Sequence, residues 1–259
     1  MGAFDVRGIS KAETLEMVRR YHYSDTLPKI NRHFLGFYRG GGLVGVMTLG
    51  YGTRPRHTIQ RLFPSLDTKD YYEIGRMCMT DEMPRNSESQ MISACVKWLK
   101  RNDPQIKVLF TWADGILGKP GYVYQACSFE YAGYIESEIY LMNGTKLHPR
   151  KMKKQFQTDV NDKRVTIRPS LQQMREMGIE HYKGRQFRYF KFLCSKPQRT
   201  LLRKEQLIPT EHTYPKASEL KWRKKNLVTG KWEESEKPLV ITDNSSEQAD
   251  RDDIQMRLF

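Results

Sequence analysis

Pro84, Arg85, Asn86, Ser87, Glu88 and Ser89 lead into Met91, Ile92, Cys95, Val96 and Leu99, which fall on one face at helical spacing. Backbone N–H groups at such a helix start, aided by the helix dipole, accept an anion. Arg85, Asn86, Ser87 and Ser89 are therefore candidate cofactor ligands for a phosphate, whether of a small donor, a nucleic acid or the end of a tRNA. The plainer alternative is that Asn86 or Ser87 only caps the helix. A second cluster, Tyr71, Tyr72, Glu73, Ile74, Gly75 and Arg76, begins a β-rich run. Strand alternation predicts Ile74 and Arg76 on one face and Glu73 and Gly75 on the other. A guanidinium placed there needs an anion or a polar cavity. Asp114, at the end of the next apolar strand, is its candidate partner, either in a structural ion pair or at a ligand site beyond the strand ends. Tyr124 carries a phenol that stays protonated at neutral pH and is a candidate proton donor; a core tyrosine is the alternative. His22, beside Tyr23 and Ser24, is a candidate base or simply a helix cap. His22, Tyr23 and Asp114 include metal-capable ligands, but no spacing demands a metal.

The elements that must hold these groups can be read from periodicity. Phe4 to Ile9 suits an edge strand, and Ser10 with Glu13 has the spacing of a capping box ahead of a helix that runs out before Pro28. Phe34–Tyr38 and Leu43–Leu49 flank Gly40, Gly41 and Gly42 as a hairpin. Tyr72–Met79 reads as a strand, Ser89–Lys100 as an amphipathic helix, and Ile106–Trp112 as a buried strand. Gly121–Ser128 reads as a short helix and Phe129–Met142 as one or two closing strands. Leu171–Met177 is helical by pattern, and the polar chain from Thr242 has the composition of disorder up to Ile254–Phe259, where a short docking motif is conceivable. The fold class is α+β: a GNAT-like mixed sheet with flanking helices and a basic C-terminal extension. The expected division is a catalytic core over 1–145, a basic extension over 146–225 and a polar tail over 226–259.

Hydrophobic residues make up 38% of the 259 and aromatics 11%, enough for a sizeable core. No apolar run is long enough to span a bilayer, and no secretory signal is visible at the start. Cys78, Cys95, Cys127 and Cys194 form no CxxC pair and read as reduced thiols of a cytoplasmic protein. The net charge is +14, and residues 151–225 concentrate it, with 20 Lys and Arg against 7 Asp and Glu. A segment so basic points to a polyanionic partner, because each phosphate contact releases counterions. Phe187, Phe190 and Phe192 lie among those charges and suit either base stacking or a core.

Taken together, Tyr21–Ser24, Glu73–Arg76, Pro84–Ser89, Ala113–Gly115 and Tyr122–Tyr124 resemble the Mom family of bacteriophage DNA-modification enzymes, in order and at compatible spacing over about residues 5 to 142. Arg188–Tyr189 and Tyr214–Lys216 resemble its ending more loosely. The Tyr124 region also resembles the Tyr-x-x-x-Gly-Phe motif that closes GNAT acyltransferases, with Ser128 in the glycine's place, whereas the glycines of their phosphate loop are absent around Ser87. The resemblance implies a GNAT-like fold and conversion of adenine in duplex DNA to an N6-carbamoylmethyl derivative that blocks restriction in a phage-infected cell. It points to His22, Tyr23, Arg76, Ser89, Asp114 and Tyr124 as functional. It leaves the donor open between an acyl-CoA and a glycyl-tRNA. Tyr23, Tyr51 and Trp112 are candidate stacking partners for a base drawn out of the helix. Two other readings fit the same residues: an acetyl-CoA-dependent N-acetyltransferase acting on a small molecule or protein, and a nucleic-acid-binding protein without catalysis.

Overall fold

A computed structural model describes residues 4–147 and 168–241. Strand β1 (Asp5–Gly8) leads to Ser10, which caps helix α1 (Lys11–Tyr21) reciprocally. Glu13 N donates to Ser10 Oγ at 3.1 Å, and Ser10 N donates to Glu13 Oε2 at 2.8 Å. β2 (Asn31–Arg39) and β3 (Gly42–Gly50) form the expected hairpin, and Gly40 and Gly41 both take positive φ in its two-residue turn. β4 (Tyr71–Met79), α3 (Ser87–Asn102), β5 (Val108–Asp114), α4 (Tyr122–Ala126) and β6 (Glu130–Met142) follow as read from the sequence. A helical turn, α2 (Pro55–Gln60), intervenes before β4. Ile59 is its only buried residue, so no apolar period announces it.

Beyond β6 the chain is more regular than its pattern suggests. A short strand β7 (Thr145–Lys146) and helix Leu171–Glu176 precede β8 (Ile179–Phe192), then helix Lys196–Glu205 and the pair β9 (Trp222–Lys225) and β10 (Trp232–Ser235). β8 is 14 residues long, and charged residues interrupt its apolar ones, which hides its period. The sheet runs β1-β2-β3-β4-β5-β8-β6-β7, with β9 on β8 and β10 on β9. β1 to β4 are antiparallel, and β4 and β5 are parallel. This is an α+β mixed sheet with flanking helices. No helix among the described residues is long and apolar enough to cross a membrane.

Two compact units result, and neither ends at residue 145. The first comprises Met1–Ala113, Gly121–Tyr134 and Phe187–Tyr214; the second comprises Asp114–Pro120, Ile135–Gln186 and Pro215–Phe259. The C-terminal half of β8 thus belongs to the first unit, where Phe187 and Phe190 are buried core residues and not stacking faces. Phe190 packs with Ile59, Leu62, Phe63, Tyr71, Val108 and Phe110, and Phe192 lies partly buried against them. In the second unit Tyr140, Leu147, Met174 and Ile179 form a smaller core. There Glu138 gathers His181 at 3.0 Å, Lys183 at 3.2 Å and Arg168 at 3.2 Å. The expectation for the chain from Thr242, Ile254–Phe259 included, lies outside the described residues.

Replacing Ser10 with Ala removes an N-cap and is expected to cost about 1 kcal/mol. Gly50→Ala is expected to cost clearly more, because a Cβ there would overlap the Ile30 carbonyl. Urea denaturation of the two variants beside the parent chain checks the order.

Candidate functional site

The site begins with a register irregularity. Thr48 pairs with Arg76 and Leu49 with Ile74, so Gly75 bulges from β4 without a partner. The bulge corrects the simple alternation: Glu73, opposite Gly50, and Arg76, opposite Thr48, come to share a face. Glycine is needed at 75, since a Cβ would meet Pro28 Cγ at 2.6 Å and Thr48 Oγ1 at 2.9 Å. Beyond Ile74 and Thr111 the ladder between β4 and β5 stops, although both strands continue, so the two part there.

Arg76 uses its guanidinium to fix a loop. Nε donates to Thr26 O at 2.9 Å, Nη2 to Ser24 Oγ at 3.0 Å and Nη1 to Gly75 O at 2.7 Å. Ser24 N in turn donates to Nδ1 of His22, the C-cap of α1, and the His22 ring stacks on Tyr23 with centroids 4.2 Å apart. Arg76 therefore positions His22 and Tyr23, a link that sequence spacing does not show.

Glu73 was not singled out by the sequence, because alternation put it opposite Arg76. Burial pushes its carboxyl up from an ordinary 4.5 to about 7, and the nearby Arg76 charge only partly opposes this. No hydrogen bond or ion pair reaches it among the described residues, and a Cβ on Gly52, held at φ +69°, would overlap its carboxylate. Tyr124 lies within the field of both Glu73 and Arg76. Burial raises its phenol, while a hydrogen bond from Thr111 and the charge of Arg76 pull the other way, so it is a proton donor at neutral pH. Behind it stand Phe129, Tyr131, Tyr189 and Tyr214. Tyr189 centres 5.7 Å from Tyr124 and accepts from Gln125 Nε2 at 3.0 Å, and Tyr214 donates to Phe129 O at 2.7 Å. Ser128 keeps φ +55°, the left-handed backbone for which the related motif uses glycine.

The start of α3 reaches the same region, since Cys127 Sγ donates to Ser89 O at 3.6 Å. Asn86 is the N-cap at φ 67° and gives no side-chain cap bond. Ser87 is buried, and its Oγ has no hydrogen-bond partner among the described residues. An uncapped helix start with an orphaned hydroxyl fits the phosphate of a donor. Arg85 is exposed beside it. Asp114 closes β5 but belongs to the second unit, where Lys146 Nζ lies 3.8 Å from its Oδ2. Tyr51 packs against Tyr71 and Tyr72, and Trp112 is half-buried under Arg188.

A near-neutral carboxyl, a guanidinium and a protonated phenol where two parallel strands part, with an anion-accepting helix start beside them, are the equipment of a group-transfer site. The chain belongs to the Mom protein family, whose profile matches residues 3–216. It is 32% identical over 188 residues to "Methylcarbamoylase mom" of Escherichia phage Mu, covering 71% of this chain and 73% of that protein. Solved structures with some likeness include aminoglycoside acetyltransferase AAC(6')-Ib with paromomycin and acetyl-CoA, at 14% identity and TM-score 0.40 over 52% of this chain and 86% of that one. A Bacillus subtilis acetyltransferase in complex with CoA has 12% identity and TM-score 0.40 over 74% and 99%. Likenesses of that size say nothing of chemistry.

Glu73 binds its proton more readily folded than unfolded. Its contribution to stability is full below pH 4.5 and is lost as pH rises through about 7. Glu73→Gln is therefore expected to be more stable than the parent above pH 7, by on the order of 2 kcal/mol, with the gap closing toward pH 5. Thermal melts across that range measure it. Ser128→Gly is expected to stabilise by up to about 1 kcal/mol by relieving a left-handed residue; a lower melting temperature would count against the strain.

Proposed function

We propose that this chain transfers a carbamoylmethyl (acetamido-type) group to the N6 amine of adenine in duplex DNA, protecting that DNA from restriction in a phage-infected cell. Membership of the Mom family carries the reading, together with a relative named as a methylcarbamoylase. The cluster of Glu73, Arg76 and Tyr124 supplies the groups that such a transfer needs.

The adenine amine is a poor nucleophile, because its lone pair is delocalised into the ring. As its nitrogen bonds to the incoming carbon, an N6 proton must leave, and Glu73 in its ionised form accepts it. The bond from carbon to the leaving group breaks as Tyr124 gives that group its proton. Arg76 stabilises negative charge developing between them and holds the loop of His22 and Tyr23 against the site. Asp114 is a second carboxylate for the amine, assigned from sequence. Attack on the acyl carbon of an acyl-CoA or glycyl-tRNA donor gives an N6-acyl adenine as the thiol or the tRNA hydroxyl leaves. Only a donor that carries a glycine unit leads on to the carbamoylmethyl product, because in N6-glycyl adenine the free glycine amine can displace the amide nitrogen at C6 and give the isomeric carbamoylmethyl group. Arg85, Asn86, Ser87 and Ser89 at the start of α3 are the residues that would hold the donor's phosphate. Extruding the base costs a few kcal/mol, offset by phosphate contacts and stacking, with Tyr23, Tyr51 and Trp112 as candidates.

Mass spectrometry of nucleosides from plasmid DNA of cells expressing the chain tests the reading. A modified adenosine is expected from the parent. Glu73→Gln, Tyr124→Phe and Asp114→Ala are each expected to reduce it by about a hundredfold or more. With purified protein, the rate is expected to rise with pH through about 7 as Glu73 ionises. If DNA from cells making the parent chain contains only ordinary nucleosides, the proposal is wrong.

A further inference from the structure

Part of the charge that the sequence offers for DNA is already engaged by acids. In the basic segment, Lys183 and Arg168 are held by Glu138, Arg203 by Glu130, Arg223 by Glu136 and Lys224 by Glu180. Helix α2 presents the opposite case. Arg54, Arg56, His57 and Arg61 are exposed on or beside it, the stretch 54–61 contains no acid, and none of their side chains makes an ion pair or hydrogen bond among the described residues. Ile59 anchors the turn in the main core, so these cations project from a fixed base.

Next to this turn is a cation that ought not to be buried alone. Arg188 is 6% exposed, and its Nη1 donates to Ala132 O at 2.6 Å. Its guanidinium carbon lies 5.1 Å from the centre of the Trp112 ring. No carboxylate pairs with it among the described residues. The charge close enough to matter is Arg61, which together with burial drives its pKa down. A buried guanidinium is ordinarily matched by a carboxylate or a bound anion. Ala132, whose carbonyl Arg188 binds, shares a core cluster with Ile59 and Leu62 on either side of Arg61, and Trp112 packs against that cluster. A fork of N–H donors beside an indole suits a phosphodiester oxygen next to a stacked base.

We propose that Arg188 and Arg61 clamp one backbone phosphate of duplex DNA beside Trp112, and that Arg54 and Arg56 on the exposed side of α2 follow the neighbouring phosphates. The proposal rests on the reading of DNA as the substrate and specifies where that substrate is gripped. Trp112 then stacks against the nucleotide adjoining the held phosphate, in the same unit as Glu73 and Tyr124.

The test is the salt dependence of binding to a short DNA duplex by fluorescence anisotropy between about 50 and 200 mM salt, where each phosphate contact contributes a slope of about −0.9. Arg56→Gln with Arg61→Gln changes exposed side chains and is expected to leave the thermal melt unaltered while making the slope shallower by roughly 2. Arg188→Lys, which keeps the charge but loses the fork, is expected to weaken binding at least tenfold. Lys224→Gln, at a cation already paired, is expected to bind as the parent does. Parent-like slope and affinity in the double variant overturn the clamp, as does a parent chain that does not bind DNA. A clamp that passes while no modified adenosine forms in cells would sink the transfer reading alone. Modified adenosine at parental levels in the double variant, with parental binding, would sink the clamp alone.

Discussion

At Gly75 the ladder between β3 and β4 carries one residue too many, and the meeting of Glu73 and Arg76 depends on that bulge. Without it Glu73 and Arg76 would point to opposite faces of the sheet. With it, a largely buried carboxyl and a guanidinium share one face of β4, close to where β4 and β5 part. The bulge is packed in place by Pro28 and Thr48, which leave no room for a side chain on residue 75. Arg76 then binds the stretch from Ser24 to Thr26, so the same irregularity fixes the loop that carries His22 and Tyr23.

A carboxyl with no hydrogen-bond donor is a poor choice for stability. Near pH 7 it is divided between a neutral form that the pocket tolerates and an ionised form that it does not. The fold tolerates this through the core around it, in which Tyr71, Phe110, Phe63 and Phe190 are fully buried. Ser87 shows the same pattern on a smaller scale, a buried hydroxyl left without a partner at a helix start. Unsatisfied polar groups in an otherwise well-packed unit mark the places where a ligand completes the bonding.

The C-terminal chain takes part in this unit instead of trailing from it. Tyr189 and Tyr214 pack behind Tyr124, and Phe187 and Phe190 fill the core beside β5. Five of its cations, Arg168, Lys183, Arg203, Arg223 and Lys224, are matched by acids. The short α2 turn, with few residues and no apolar period, adds exposed cations in a stretch that contains no acid.

Much of the fold was legible because local signals agreed with it. The capping box at Ser10, the paired glycines of the β2–β3 turn and the apolar stripe of α3 each act over a few residues. Tyr124 and the α3 start could be named as candidates because their residue types carry their own meaning. Sequence alone could not show that β8 inserts between β5 and β6, because strand order is decided by which surfaces bury together. It could not show that Glu73 turns toward Arg76, since one bulged residue reverses a period-two pattern. Nor could it separate cations that are neutralised from Arg61 and Arg188, which are not. Residue type and spacing determine which groups a chain owns, and only the packed sheet decides which of them face each other without water between them.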